Sequence, residues 1–554
     1  MLKRLLIIFF LFVPALASAQ GVVSAADPRA AEAGREILRA GGSASDAAMA
    51  MMLALTVVEP QSSGIGGGGF LVHHDARRGV VQTIDGREKA PASARPDRFL
   101  GPDGQPRPFP QAYPGGLSVG VPGNIRLMAE THRRWGRLPW ARLFEPAIRL
   151  ADEGFVVSRS TAAFLAGSAE RWKDFPEARK IYWREGKPLK AGERVRNPDL
   201  AETLRRIAKE GPDAFYTGKI AREISEAVAQ SKVNPAELTL ADLAAYHAKE
   251  RPAVCTQYRK YKVCGMGPPS SGATTVLQIL ELIERFPVPS WGPRDPRSWH
   301  VIAEAMKLAY ADRDTYLGDR DFVPVPVSGL VDPAYLRNRS NLISTTRSLG
   351  RYEPGTPPGA EARIPARSGE ITGTTHFVAV DAEGNVASMT STVENIFGSQ
   401  LIAGGFILNN ELTDFSFAPE RDGVPVANRV EPGKRPRSSM SPTIVFDETG
   451  KPVLALGSAG GPRIIMHVAK TLIGWMDFGL PAQEAIALPN IFLGGEATLV
   501  ERGTFLAEMA PQLSKIDGMV IAADLGSKVN AAERTPQGWR GAADPRSEGV
   551  ALAE

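Results

Sequence analysis

The feature that most constrains how this chain folds is a short segment that begins at Gly373 and Thr374. Two runs of alternating apolar and polar residues follow, His376–Asp381 and Asn385–Ser391, and Ala382–Gly384 joins them, which predicts a β-hairpin. A hydroxyl at the start of a strand can attack the carbonyl of the preceding glycine, and cleavage there would free the α-amine of Thr374. That amine, with an ordinary pKa of about 8, can act as the base for its own hydroxyl. A plain turn before a β-branched strand is the alternative.

Residues 1–19 have the pattern of a signal peptide. Lys3 and Arg4 form a positive end, Leu5–Val13 an apolar core, and Ala17–Ala19 a small-residue cleavage site. The apolar core is shorter than the roughly 20 residues that span a bilayer, and no later stretch has that length without a charge. We expect an exported protein, periplasmic or secreted, without a membrane anchor; an anchored protein is the alternative.

Composition favours one large composite fold and argues against a nucleic-acid partner. No Ser/Gly-rich or Pro-rich linker, low-complexity tract or internal repeat divides the chain after residue 19. Loss of Lys3 and Arg4 would lower the formal net charge from +4 to +2. No basic run alternates with aromatic residues, as a nucleic-acid surface would require.

Cys255 and Cys264 are the two cysteines of the chain. The residues around them read as two short strands joined by a turn at Arg259 and Lys260, which places the cysteines opposite each other at bridging distance. In an oxidising compartment this predicts a disulfide, with free thiols as the alternative. A C-x8-C pair without a second Cys/His pair is a poor zinc site.

The segment Ser62–Phe70 contains a literal G-x-G-x-x-G. A dinucleotide site needs a strand before that loop and a helix after it. Here a helix precedes, Ala47–Val58, apolar all round and capped by Ser43, and a strand follows, so we reject the nucleotide interpretation. We expect these glycines to let backbone pass close to backbone.

Periodicity predicts the remaining elements. The strands are Phe70–His74, Val80–Ile84, Phe406–Asn410, Thr443–Phe446 and Pro452–Leu456. The helices are Pro28–Ala40, Ala47–Val58, Asn124–Trp135, Trp140–Asp152, Pro198–Lys209, Ile220–Gln230, Ala241–Lys249, Ala273–Arg285, Trp299–Leu317 and Ile464–Asp477.

Two polar features suggest chemistry. Arg87 follows the strand Val80–Ile84. An arginine in this position is usually on the surface, but its guanidinium group can also bind a carboxylate through two hydrogen bonds. Gly457–Arg463 lies at a strand-to-helix junction, where free N–H groups can hold an oxyanion or simply form a turn. Metalloprotease, C-x-x-C, Walker and G-x-S-x-G motifs are absent, so we expect no metal and no organic cofactor. A catalytic Ser-His-Asp triad remains an alternative, although no residue pattern indicates one.

The sequence resembles the γ-glutamyltranspeptidase (glutathione hydrolase) family over nearly all of its length after residue 19. The resemblance lies in SSGIGGGGF, GTTH, FILNNELTDFS, PGKRPRSSMSP and GSAGGPRII, in this order. It implies an α+β fold, the four-layer αββα sandwich of N-terminal-nucleophile hydrolases. It also implies autocleavage of one precursor into a large subunit, residues 20–373, and a small catalytic subunit, residues 374–554, which form a heterodimer.

The resemblance also implies roles for individual residues. Cleavage falls between Gly373 and Thr374, and Thr374 is then the catalytic nucleophile. Thr392 hydrogen-bonds that nucleophile, and the backbone of Gly460 and Gly461 forms the oxyanion hole.

Six further residues correspond to the substrate site of the family. Arg87, with Ser438 and Ser439, would hold the substrate α-carboxylate, and Glu411 and Asp414 would hold the α-amino group. Glu394 stands where some family members carry Asn; an extra anion there also favours an ammonium group. The loop at residues 415–433 occupies the place of a lid that varies across the family.

The sequence thus predicts a hydrolase and transferase of glutathione and other γ-glutamyl compounds, with water, amino acids or dipeptides as acceptors. One rival is a related acylase that acts on glutaryl or cephalosporin-type side chains, which lack the α-amino group. Arg87, Glu411 and Asp414 together argue against it. The other rival is a non-catalytic periplasmic protein that binds γ-glutamyl compounds or amino acids, which the intact nucleophile disfavours.

Overall fold

The computed structural model describes residues 21–366, 373–495 and 497–554. The signal peptide predicted at residues 1–19 lies outside these ranges. Within them, no helix combines the length and the apolar character needed to cross a bilayer.

The predicted hairpin forms the centre of an antiparallel sheet of seven strands, here called sheet I. Its two strands, Thr375–Val380 and Val386–Thr392, begin and end within one residue of the prediction. In spatial order the strands of sheet I are Val550–Ala553, Val22–Ala25, Thr375–Val380, Val386–Thr392, Gly68–Asp75, Val80–Gly86 and Lys249–Arg251.

A second antiparallel sheet of six strands, sheet II, packs against the first. In spatial order its strands are Gly538–Ala543, Asn530–Thr535, Pro452–Gly457, Thr443–Phe446, Tyr261–Gly265 and Val254–Tyr258.

Side-chain alternation along the central hairpin separates two hydrophobic cores. Phe377 and Met389 point to one face and pack with the buried helix Ala44–Val58. Val378 and Val386 point to the other face and pack with sheet II and its helices. Because successive residues of a strand face opposite sides, one hairpin serves both cores. The result is four layers, helix–sheet–sheet–helix, which confirms the predicted α+β sandwich.

Most predicted helices are confirmed to within about three residues. The helix Ala44–Val58 is buried along its whole length and begins with a capping box between Ser43 and Asp46. The other helices that match the predictions are Pro28–Arg39, Asn124–Trp135, Pro198–Glu210, Gly218–Ala229, Gly272–Ile283, Pro296–Tyr316 and Ile464–Met476. Helices that we did not predict include Arg159–Ser168, Pro333–Ser340 and Phe505–Asp517.

Two helix predictions need correction. The predicted helix Trp140–Asp152 is a 3₁₀ turn, Trp140–Phe144, followed by an α-helix, Glu145–Glu153. Pro146 has no N–H to donate to the preceding turn, so an α-helix can start there but cannot run through it.

The predicted helix Ala241–Lys249 is wrong beyond its first half. Helical residues end at Ala244, and Lys249–Arg251 forms the edge strand of sheet I. Arg251 pairs there with Thr83, so a tertiary contact overrides the local helical preference.

The predicted strand Phe406–Asn410 was also too long. Only Phe406–Ile407 is a strand. The side-chain amide of Asn409 donates hydrogen bonds to the carbonyls of Gly66 and Gly120, at 2.8 and 2.9 Å. Asn409 therefore bonds to these two glycines and not to a neighbouring strand.

Cys255 and Cys264 occupy opposite positions in neighbouring strands of sheet II, as the turn at Arg259 predicts. Their Cα atoms are 4.2 Å apart, and the structure joins the two sulfur atoms in a disulfide. The bridge lies at the edge strand of the sheet, so it ties that strand to the rest of sheet II.

The glycine-rich segment confirms the expected close backbone contacts. A Cβ atom on Gly66 would lie 2.0 Å from the carbonyl oxygen of Ile407, and one on Gly67 would lie 1.9 Å from that of Thr392. Such distances are far below van der Waals contact and involve backbone that cannot rotate away. Glycine at both positions therefore lets the segment pack against the residues that carry Thr392.

Gly67→Ala tests this close contact. We expect it to lower the free energy of unfolding by about 2–4 kcal/mol, because the methyl group must displace the Thr392 carbonyl. Gly167→Ala is the matched control: it lies in the helix Arg159–Ser168 with no atom within 4 Å of the added methyl group. The control should be neutral or stabilising by up to about 1 kcal/mol. Equal denaturation midpoints for the two variants would contradict the assignment.

Candidate active site

Thr374 lies at the end of the central hairpin and is 4% exposed. Its N–H donates to the carbonyl of Ser62, at 2.9 Å, and its Oγ1 is 2.9 Å from Oγ1 of Thr392. The Thr392 hydroxyl also accepts the N–H of Glu394, at 2.8 Å. The two hydroxyls predicted to interact are therefore brought together, and both the nitrogen and the oxygen of Thr374 are held in place.

The backbone at Thr374 is strained. Its φ is +100°, in the left-handed region that a β-branched residue rarely adopts. A Cβ atom on Gly373 would lie 1.9 Å from the carbonyl oxygen of Glu394. Only glycine fits before Thr374, and the strain lies in the φ torsion of Thr374, directly after the peptide that joins the two residues.

Arg87 follows the strand Val80–Gly86 and is buried among carboxylates. It forms ion pairs with Glu411 and, at 2.5 Å, with Asp414. Its remaining N–H groups donate to the carbonyls of Pro436, at 3.1 Å, and Arg437, at 2.8 Å. The surface alternative for Arg87 is wrong, since its side chain is 1% exposed.

Glu88 was missed by the sequence analysis. It is fully buried, and its Oε2 lies 3.9 Å from Nη1 of Arg87. Its carboxyl group shares a hydrogen bond with the carboxyl group of Glu411. A charged residue in a turn is ordinarily solvated, so its sequence context carries no signal of this burial.

Burial and mutual repulsion set the protonation of this cluster. Burial raises the pKa of Glu411, against the attraction of Arg87, and Glu88 and Glu394 raise it further. Burial raises the pKa of Glu88 to about 7. For Arg87, burial lowers the pKa, but the neighbouring carboxylates more than offset that effect and the pKa is raised overall. Arg87 stays charged, and the surplus of carboxyl groups favours a second cation in the cavity.

These groups line one small cavity. Ser439 Oγ accepts a hydrogen bond from Arg313 at 2.7 Å, and Ser438 Oγ accepts the N–H of Met440 at 3.2 Å. The predicted site residues that line the cavity are Arg87, Thr374, Thr392, Glu394, Glu411, Asp414, Ser438, Ser439 and Gly461.

Gly460 and Gly461 begin the short 3₁₀ turn that leads into the helix Ile464–Met476. Their φ angles are +131° and +57°. Neither N–H donates a hydrogen bond to any residue in the described ranges. Two free N–H groups at the positive end of a helix can stabilise a negative oxygen.

An open cleft of about 1180 Å³ reaches Thr374 from the side of Gly373. Gly460, Arg463 and Lys528 line it. Lys528 Nζ lies 2.6 Å from Glu59 and 3.1 Å from Ser62 Oγ. The sequence analysis did not connect these distant residues with Thr374, because no local pattern links them.

His300, Glu304 and Asp517 bring potential metal-ligating atoms within 4.8 Å of one another. However, the ammonium group of Lys307 lies 3.2 Å from Asp517 and 3.7 Å from Glu304. A cation of the protein already balances these carboxylates, so we assign the cluster a structural role.

Comparison with known proteins identifies the family. The sequence model described as Gamma-glutamyltranspeptidase matches residues 30–554. This chain belongs to the γ-glutamyltranspeptidase family.

Relatives of this γ-glutamyltranspeptidase family member cover nearly the whole chain. The glutathione hydrolase proenzyme of Escherichia coli (strain K12) is 37% identical over 95% of this chain and 90% of that protein. The glutathione hydrolase proenzyme of Bacillus subtilis (strain 168) is 35% identical over 96% and 91%. The crystal structure of cephalosporin acylase from Bacillus halodurans has a TM-score of 0.85 and 28% identity, and covers 97% of this chain and 96% of that one. The fold is therefore that of the N-terminal-nucleophile hydrolases.

Glu88→Gln tests the electrostatics of the Arg87 cluster. The folded state raises the pKa of Glu88 from 4.5 to about 7. The folded state thus favours the protonated group, so this contribution to stability is complete below about pH 4.5 and is lost as the pH rises through 7. Relative to the unchanged chain, Glu88→Gln should therefore gain melting temperature at pH 8 and little or none at pH 5. Glu448→Gln, in an exposed turn, is the control. The same shift at both pH values would contradict the prediction.

Proposed function

We propose that this chain is a self-processing γ-glutamyl hydrolase and transferase with Thr374 as its nucleophile. The observation that carries the proposal is that the Thr374 hydroxyl shares a cavity with one guanidinium, Arg87, and with the carboxylates Glu394, Glu411 and Asp414. A free α-amino acid head requires one cation and one or more anions. Glutathione and other γ-glutamyl compounds are the proposed donors, in line with the names of the relatives from E. coli and B. subtilis.

The ion pairs of Arg87 suggest how the head group binds. The α-carboxylate of the substrate accepts hydrogen bonds from Arg87 and from the hydroxyls of Ser438 and Ser439. The α-ammonium takes the place of the guanidinium beside Glu411 and Asp414. Each buried charge keeps a partner in this exchange, which avoids the several kcal/mol that an unpaired buried charge costs.

Self-processing uses the strained peptide before Thr374. The hydroxyl oxygen attacks the carbonyl carbon of Gly373, the C–N bond breaks, and the nitrogen takes the hydroxyl proton. Water then hydrolyses the resulting ester, which leaves a free α-amine on Thr374 and a carboxylate on Gly373. The two subunits, 20–373 and 374–554, remain paired because in sheet I Thr375–Val380 pairs with Val22–Ala25 and Val386–Thr392 pairs with Gly68–Asp75.

Turnover repeats this chemistry on the substrate. The α-amine of Thr374 takes the proton of its hydroxyl, and the oxygen attacks the γ-carbonyl carbon. The N–H groups of Gly460 and Gly461 hold the oxyanion. The α-ammonium group of Thr374 then gives its proton to the leaving amine of the substrate. This leaves an acyl-enzyme and, when glutathione is the substrate, releases Cys-Gly. Water or the amine of an amino acid or dipeptide then attacks the ester, and its proton passes back through the α-amine.

The cleft on the side of Gly373 is the proposed path for the leaving amine and the acceptor. It adjoins the nitrogen of Thr374, which must exchange a proton with both. Arg463 supplies positive charge there, whereas Lys528 is paired with Glu59. The charge of Arg463 suits the carboxylate of an amino acid or dipeptide.

Export is part of the proposal. The signal peptide predicted at residues 1–19 would carry the precursor to the periplasm or out of the cell. The disulfide between Cys255 and Cys264 fits an oxidising compartment.

The charges in the cavity distinguish the acylase alternative from the proposed function. A glutaryl group has no ammonium to place beside Glu394, Glu411 and Asp414, so the surplus of buried carboxylates would be left without a cation. The likeness to cephalosporin acylase therefore supports the fold rather than the acyl group. The binding-protein alternative does not account for a strained threonine held against a second hydroxyl.

Thr374→Ala should leave a single uncut chain with no turnover, smaller than the 59.5 kDa of the full sequence only by the removed residues 1–19. The reason is that the variant lacks the oxygen that both reactions use. Gel electrophoresis and nitroaniline release from γ-glutamyl-p-nitroanilide measure the two losses. Thr375→Val is the matched control, since it removes the adjacent hydroxyl and should remain cut and active. A cut and active Thr374→Ala variant would refute the assignment.

Donor choice tests the head-group site. The unchanged enzyme should release nitroaniline from γ-glutamyl-p-nitroanilide and not from glutaryl-p-nitroanilide. Glu411→Gln should raise KM for the γ-glutamyl compound by about 10- to 100-fold, because one charged hydrogen bond to the ammonium is lost. Glu420→Gln, exposed in the same region of the chain, is the control. Preference for the glutaryl compound would keep the nucleophile and overturn the substrate.

A further inference from the structure

His467 is a buried histidine that the proposed reaction does not use. It lies in the first turn of the helix Ile464–Met476, six residues after the second glycine of the proposed oxyanion hole. Its ring packs against Gly460, since a Cβ atom there would lie 2.9 Å from its Cε1 atom. The histidine thus contacts a residue whose backbone is proposed to act in catalysis.

The hydrogen bonds of His467 define its tautomer. Nδ1 lies 3.1 Å from the carbonyl oxygen of Ala459 and 3.0 Å from Oγ of Ser458. Ser458 Oγ also donates to the Ala459 carbonyl, at 3.0 Å. A carbonyl oxygen can only accept, so Nδ1 must carry the hydrogen. Burial lowers the pKa of His467 to about 3, so the ring is neutral at neutral pH and Nδ1–H is its single N–H.

These contacts control the peptide that joins Ala459 and Gly460. In a planar trans peptide the C=O and the N–H point in opposite directions. His467 and Ser458 hold the carbonyl on the side of the helix, which directs the Gly460 N–H to the other side. Gly460 lines the cleft that also contains Thr374. At φ +131° it has no Cβ atom to restrict its rotation, so the orientation depends on this external contact.

We propose that His467 is a positioning residue that holds the Gly460 N–H toward the developing oxyanion. This inference rests on the proposed function, since it assigns a role within that reaction. His467 does not touch the substrate; it acts through the Ala459 carbonyl. Its removal should therefore affect the transition state more than substrate binding.

The test compares His467→Asn with His467→Leu. The two side chains have nearly the same shape, and both leave the same space where the ring was. Only Asn can place an N–H near the position of Nδ1 and donate to Ala459. With γ-glutamyl-p-nitroanilide, His467→Leu should lose about 10- to 100-fold in kcat, with KM changed by less than about threefold. His467→Asn should recover most of that loss.

A boronic acid analogue of glutamate provides a second readout. It forms a tetrahedral adduct with a hydroxyl nucleophile, whereas glutamate itself binds as a planar product. His467→Leu should weaken inhibition by the boronate about tenfold or more and leave inhibition by glutamate nearly unchanged. A role in packing alone would weaken both equally.

The outcomes separate this inference from the proposed function. No turnover by the unchanged enzyme would reject the proposed function itself. With the unchanged enzyme active, equal kcat values for the Asn and Leu variants would overturn the role of His467. Ser458→Ala covers the case in which the Leu variant does not fold. It removes the other donor to Ala459 and should lower kcat about 3- to 10-fold at constant KM, and an unchanged kcat would overturn the inference.

Discussion

The buried ion cluster around Arg87 is the interaction on which the site depends. It joins the end of a strand of sheet I to the turn Glu411–Asp414 and to the loop that carries Pro436 and Arg437. Arg87 lies more than 300 residues before the other two segments, and each segment contributes charges or carbonyls that would be costly to bury alone. The cluster therefore orders the substrate cavity through the same groups that are proposed to recognise the substrate.

Backbone contacts hold Thr374, the proposed nucleophile, in a similar way. The carbonyl of Ser62 accepts its N–H, and the carbonyl of Glu394 lies against Gly373. Gly66 and Gly67 let a further segment approach the carbonyls of Ile407 and Thr392. Such contacts restrict the hydroxyl of Thr374, which in the proposed reaction lowers the entropy cost of reaching the transition state. The role proposed for His467 applies the same principle to the proposed oxyanion hole, where a helix side chain holds a single peptide.

Local patterns predicted most of the regular elements because amphipathic spacing and turn residues act within a few positions of one another. The hairpin after Thr374 and the buried helix Ala44–Val58 are examples. The secondary-structure predictions that were wrong failed because of contacts between distant parts of the chain. Lys249–Arg251 becomes a strand because sheet I has an open edge there, and Asn409 leaves its strand to bond with Gly66 and Gly120.

The sequence by itself determined the family, the layered fold and the set of polar residues that could form a site, since each depends on short motifs and on periodicity. Only the tertiary structure decided how those groups pair. It placed Glu88 beside Arg87 and Glu411, raised the pKa of Glu88, and set His467 against Gly460. Burial and charge pairing depend on what the rest of the chain brings within a few ångströms, and a linear pattern does not contain that information.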